Sequence, residues 1–146
     1  MARKERRRPG WSTAAQEIVD RLFVYGTLRQ GQQARALIAQ HVAGSEPATM
    51  RGRIYAMPEG YPGFVAPADG ADDAVVHGEL VTLTDLAAAF ALLDAYEGNN
   101  FSRVLRQAEA AGANRWTWVY ELTPPSLADA GVWIASGTWS DSDGPD

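Results

Sequence analysis

The chain contains no cysteine. Disulfides, thiol nucleophiles and thiolate metal sites are therefore excluded, and a reducing, cytoplasmic location is the expectation. Histidine is almost as scarce. His41 and His77 are the only two, 36 residues apart, and neither has a partner at zinc-ligand spacing. Lysine occurs once, as Lys4, among 13 basic residues. No apolar run approaches the roughly 18 residues that a membrane helix needs. The basic N-terminus has no apolar segment behind it, so it does not read as a secretory signal. Asp69, Asp72 and Asp73 lack the glycine and terminal glutamate of a calcium loop and read as solvated. No serine sits in a G-x-S-x-G elbow and no G-x-x-x-x-G-K-[ST] loop is present, which leaves serine-hydrolase and nucleotide chemistry without support.

What remains is a chain of 146 residues, 46% hydrophobic, long enough to bury a core as one domain. Its net charge of −5 is uneven: the first ten residues carry +4, leaving −9 on the rest. Phosphate backbones want a basic face, so nucleic acid is not the expected partner of this acidic body. Residues 1–20 read as a basic, solvated tail with a short helical turn near Thr13–Asp20. Residues 21–139 read as the folded domain, and 140–146 as an acidic tail.

Leu22–Tyr25 is apolar and β-rich, which predicts a buried strand broken by Gly26. Gln32–Gln40 predicts a short helix with Ala34, Leu37 and Ile38 on one side, and Val42 to Pro47 a connection. Thr49–Met57 and Val75–Leu83 alternate as strands do. The Gly and Pro content of Glu59–Phe64 predicts a loop between them. Leu86, Phe90 and Leu93 recur at i, i+4 and i+7, giving a helix with Thr84 as N-cap, Asp85 in its first turn and Gly98 just past its end. Phe101–Ala108 and Asn114–Leu122 predict two strands, the second carrying Trp116, Trp118 and Tyr120 on one face. A last segment, Gly131–Trp139, closes the domain. Strands that outnumber two short helices without regular βαβ alternation predict an α+β fold: a mixed, mostly antiparallel curled sheet or small β-barrel with two flanking helices.

Two stretches carry candidate chemistry. A turn at Tyr25-Gly26-Thr27-Leu28 with free backbone N–H groups can hold an anion, and Gly26 lets a ligand approach closely. By residue type alone the same stretch reads equally as an ordinary strand-to-helix turn. Glu97 follows the apolar stripe of the second helix, at its negative dipole end. Burial there would raise its pKa toward the range a general acid/base uses; exposure would leave a surface carboxylate. Asp94, three residues earlier, can orient a neighbour or stand in solvent.

These residues match a known pattern. Phe23-Val24-Tyr25-Gly26-Thr27-Leu28 resembles the opening motif of the γ-glutamylcyclotransferase-like, or AIG2-like, family. Arg51-Gly52-Arg53-Ile54-Tyr55, Tyr61-Pro62-Gly63 and Val76-His77-Gly78-Glu79-Leu80 are similar to its next motifs. Leu93-Asp94-Ala95-Tyr96-Glu97-Gly98 resembles its LDxYEG helix end, with Arg103 at the usual distance. Trp118-Val119-Tyr120 and Ser136-Gly137-Thr138-Trp139 are similar to its last two motifs. Each motif is short, and together they run in order over about residues 22–139.

The resemblance implies a mixed α+β barrel and a reaction needing no metal or cofactor. Glu97 stands where the family has its acid/base, which takes a proton from the α-amine of a γ-glutamyl group. That amine attacks the γ-carbonyl of the same molecule, 5-oxoproline forms and an amine leaves. The implied partner is thus a small γ-glutamyl compound, with neither nucleic acid nor membrane involved. The amides of Gly26, Thr27 and Leu28 would hold the α-carboxylate, and Tyr25 and Tyr120 match pocket-lining positions. Phe101 stands where many relatives have tyrosine and Thr138 where aspartate is usual, departures that bear on substrate preference. The alternative is a non-catalytic module that binds a carboxylate in the same pocket.

Overall fold

The structure, a computed structural model, describes residues 19–26, 28–29, 35–68 and 72–140. The expected tail and its Thr13–Asp20 turn therefore fall outside it except for Val19 and Asp20, and the acidic tail except for Ser140. Thr27 and Asp69 also lie outside the described residues.

Among the described residues, eight strands and one α-helix follow in the order β1 (Arg21–Val24), β2 (Val42–Arg51), β3 (Arg53–Ala56), β4 (Pro62–Val65), β5 (Val75–Leu83), α1 (Leu86–Glu97), β6 (Phe101–Ala110), β7 (Ala113–Leu122) and β8 (Val132–Trp133). Five strands close into a barrel in the order β1-β5-β2-β6-β7, and β4-β3-β8 form a second, smaller sheet. Every barrel pairing is antiparallel except β1 with β7, where Leu22 lies beside Trp118. The fold is thus α+β with a mixed, mostly antiparallel barrel.

Side-chain alternation sends neighbouring residues of the barrel wall to two separate cores. Phe23, Met50, Val76, Leu80 and Val119 pack with Ile54 and Phe64 of the small sheet and with Trp139. Leu22, Val24, Val81 and Leu83 pack with Ala89, Phe90 and Leu93 of α1. Leu93 is fully buried, a placement that stabilises the helix by about 2–3 kcal/mol. Val19 already belongs to the packed domain: it is buried, and its carbonyl accepts from Trp118 Nε1 at 3.0 Å.

Several local expectations need correction. The described part of Gln32–Gln40 forms two 3₁₀ turns, Arg35–Leu37 and Ala39–His41, closed by i to i+3 bonds from Ile38 to Arg35 and His41 to Ile38. Ile38 is nonetheless fully buried, so the apolar pattern reported burial correctly while its period was misread. Val42–Pro47 is not a connection but the first part of β2, paired with β5 despite an irregularity between Val42 and Gly44. Thr49–Met57 is not one strand. Gly52 adopts φ 144°, a conformation side chains rarely take, and the chain there passes from the barrel to the small sheet. Pro62–Val65 is a strand within the stretch expected to be loop; as an edge strand it tolerates a proline. Thr84 is not the N-cap, because the helix begins at Leu86, one residue later than that role requires; the Thr84 amide donates to the His41 carbonyl at 2.8 Å. Asp85 takes that place with φ 51° and makes no side-chain capping bond.

Candidate active site

The last turn of α1 sets two carboxylates three residues apart. Gly98 caps it, its N–H donating to the Asp94 carbonyl at 3.1 Å. Asp94 faces a ring of partners. Arg103 of β6 donates to it twice, Nε to Oδ1 at 3.0 Å and Nη2 to Oδ2 at 3.2 Å. The Arg103 guanidinium is also stacked over Phe90, 4.0 Å from the ring centre, and lies 4.9 Å from that of Trp118. Tyr120 Oη donates to Asp94 Oδ1 at 2.6 Å. The hydrogen bonds from Arg103 hold the Asp94 carboxyl below the usual carboxylate range, and that pairing pushes the guanidinium up in turn.

Glu97 has a different environment. It is half-buried in the wall of a cavity of about 470 Å³, a volume suited to a small molecule. No ion pair or hydrogen bond reaches its carboxylate from the described residues. Desolvation by burial raises its pKa from 4.5 to about 7.

The cavity lies between the end of α1 and the turn that leaves β1. Tyr25, Gly26, Leu28, Glu97 and Tyr120 all line it. The remaining sequence-selected site residue, Thr27, is outside the described residues. The Arg29 amide donates to the Gly26 carbonyl at 3.1 Å, so this turn is closed by its own hydrogen bond. Arg35 reaches it from the next segment, its Nη1 donating to the Leu28 carbonyl at 3.3 Å and to Glu79 Oε1 at 2.9 Å. Gly26 has a structural reason beyond ligand approach: a Cβ there would stand 2.6 Å from Pro62 Cγ. Tyr25 Oη donates to the Tyr120 carbonyl at 2.8 Å, joining the two tyrosines. Burial, and next the negative charge of Glu97, push the Tyr25 hydroxyl well above 10, so it stays protonated. Burial and the bond to Asp94 raise Tyr120 as well.

One wall escaped residue-by-residue reading. Tyr61 and Phe101 both line the cavity with ring centres 5.6 Å apart, and Glu59, Asn99 and Asn100 stand beside them. The signal was present in Tyr61-Pro62-Gly63, which reads as a turn by residue type and matches a motif by resemblance, neither of which places it in a cavity wall. Trp116 is 47% exposed, whereas Tyr120 on the same face is buried, so that face is not a uniform stacking platform. His41 is buried and His77 exposed, and among the described residues no three His, Asp or Glu side chains gather as metal ligands.

Comparison with known proteins adds a family to this geometry. The family model described as "Gamma-glutamyl cyclotransferase, AIG2-like" matches residues 22–141. No curated protein matches the chain. Among solved structures, YkqA from Bacillus subtilis is similar with a TM-score of 0.66 and 24% identity; the match covers 84% of this chain but only 40% of YkqA. An AIG2-like protein from Mus musculus gives 0.65 at 18% identity, with 83% and 88% covered. The uropathogenic E. coli-specific protein c4763 gives 0.61 at 19%, with 82% and 91% covered. At these identities the three structures share the fold.

Proposed function

Because the chain belongs to the gamma-glutamyl cyclotransferase, AIG2-like family, we propose that it converts a γ-glutamyl amine, peptide or conjugate to 5-oxoproline and a free amine. The observation that carries this reading is Glu97, a carboxyl raised to about 7 by burial in the wall of a cavity that the Gly26 turn also lines. A group of that pKa gives up and regains a proton readily near neutral pH.

In this reading the amides of the Gly26–Leu28 stretch hold the α-carboxylate; the Arg29 amide is already committed to the turn. Ionised Glu97 takes a proton from the substrate's α-ammonium. The freed nitrogen attacks the γ-carbonyl carbon, forming the ring C–N bond. The bond from that carbon to the leaving nitrogen then breaks as Glu97 returns its proton. In total two protons pass from the α-nitrogen to the leaving nitrogen, which departs as an ammonium. Both reacting groups belong to one molecule, so the cavity's main task is to hold them in attack geometry.

The test is to incubate the protein with γ-glutamyl amines, dipeptides and conjugates and to follow 5-oxoproline by mass spectrometry. Release by the wild type and its loss in Glu97→Gln supports the reading. Binding of these compounds without release would replace it with a carboxylate-binding module.

A further inference from the structure

The stretch of cavity wall formed by Tyr61 and Phe101 is held in place from several sides. Tyr61 ends a tight loop: its carbonyl accepts from the Met57 amide, and the Gly60 amide donates to the Met57 carbonyl, both at 2.9 Å. Two residues on, Gly63 of β4 stands so close to β7 that a Cβ would lie 2.6 Å from Leu122 Cδ1. Leu122 is the cross-strand partner of Phe101 in β6, and the Thr123 amide donates to the Asn100 carbonyl at 2.8 Å. These contacts set the two half-buried rings 5.6 Å apart and tilted by 58°, an aromatic corner formed before any ligand arrives. The charge around the cavity is of one sign. Its described lining includes Glu59 and Glu97 but no lysine, arginine or histidine, while Asn99 and Asn100 bring side chains without charge. Arg35, near the turn, is committed to Glu79 and to the Leu28 carbonyl.

We infer that Tyr61 and Phe101 determine specificity for the leaving group, and that the group they take is an arylalkylamine without a carboxylate. A flat ring packs into a corner of two rings, where it gains apolar contact area and edge-to-face contact together. An amino acid in the same place would bring a carboxylate one carbon away from the nitrogen that Glu97 protonates. That charge would face Glu97 and Glu59 with no cationic side chain in the described lining to offset it, and like charges in a partly enclosed cavity repel strongly. That the ring belongs to a leaving amine rests on the function proposed above; the aromatic wall and the absence of cations from the described lining do not.

Four matched compounds test the inference on the full chain: γ-glutamylphenylethylamine, γ-glutamylethylamine, which lacks the ring, γ-glutamylphenylalanine, which adds a carboxylate, and the methyl ester of its phenylalanine carboxyl, which keeps the bulk and masks the charge. The readout is kcat/KM for 5-oxoproline release. The phenylethylamide is expected to exceed the ethylamide by at least about 10-fold, the scale of burying a ring against two others. The methyl ester should exceed γ-glutamylphenylalanine by about 10-fold through charge alone. Tyr61→Leu and Phe101→Leu should each reduce the ring preference several-fold while leaving the ester-to-acid ratio in place. Thermal melts check that both variants fold, and the two wild-type ratios decide the matter even if one does not. Equal rates for the phenylethylamide and the ethylamide, γ-glutamylphenylalanine turned over as fast as its ester, or a ring preference intact in both folded leucine variants would each overturn the inference. If none of the four releases 5-oxoproline, the cyclotransferase reading fails, and calorimetric affinities for the same compounds then judge the wall. Tighter binding of the phenylethylamide than of the ethylamide and the acid keeps it, and equal affinities or no binding overturn it.

Discussion

Asp94 and Glu97 occupy the same helical turn, yet their acidities move in opposite directions. Asp94 stands half in solvent, its side chain 50% exposed, beside a guanidinium and a phenol that both donate to it. Glu97 lies in the cavity wall with no such donor among the described residues, and burial raises its pKa to about 7. Two carboxylates on one backbone thus take two roles because one is paired and the other desolvated. Asp94 is an ionised anchor at any ordinary pH, whereas Glu97 can exchange a proton.

The strongest way to break this contrast is to remove the exchangeable proton. Glu97→Gln should lower 5-oxoproline release by about 10²–10⁴-fold, the usual contribution of a general acid/base, while far-UV circular dichroism stays unchanged. Truncating the buried residue just before the two acids attacks their placement instead. Leu93→Ala, at a fully buried site, should cost about 2–5 kcal/mol in urea unfolding.

The pH dependence of stability sharpens the same comparison. Glu97 has a folded pKa raised from 4.5 to about 7, so between those values the folded chain binds more protons than the unfolded one. Its burial is therefore tolerated below pH 4.5 and progressively destabilises the fold as pH rises to 7, by about 3 kcal/mol at most. Urea titrations from pH 5 to 8 should show this decline in the wild type and a flatter profile in Glu97→Gln. Over the same range turnover should rise, since the base form is the ionised one. The smallest effect is expected on the outer side. Arg103→Leu should let the Asp94 pKa climb back, visible in the carboxyl carbon shift by NMR, at a cost of only about 1 kcal/mol because the carboxylate half of the pair stands half in solvent and leucine keeps apolar contact with the Phe90 and Trp118 rings.

How much of this was legible beforehand differs between elements. Val75–Leu83 was read with the bounds it has in the structure, and the β6 and β7 strands within two residues, because uninterrupted alternation is a local property. The start of β2 and the whole of β4 were not legible. Gly44, Ser45, Pro47 and Pro62 are turn formers by local preference, and sheet pairing with β5 and β3 overrides that preference. Thr84 was expected as the cap, but the helix starts at Leu86 and Asp85 holds that place. Among the candidate site residues, Tyr25, Gly26, Leu28, Glu97 and Tyr120 were named from the sequence and share one cavity. The role of Asp94 was left open, because its bond to Tyr120 crosses 26 residues.

The opposite fates of the two acids divide along the same line. From its residues alone the chain determined that a helix stripe of Leu86, Phe90 and Leu93 would place Asp94 and Glu97 in one final turn, closed by Gly98. That follows from helical period and capping, which are local. Which acid would keep its charge and which would hold its proton was decided only by tertiary structure. Desolvation depends on the cavity walls brought by distant strands, and pairing on Arg103 and Tyr120 arriving from β6 and β7. Neither quantity exists until the barrel closes.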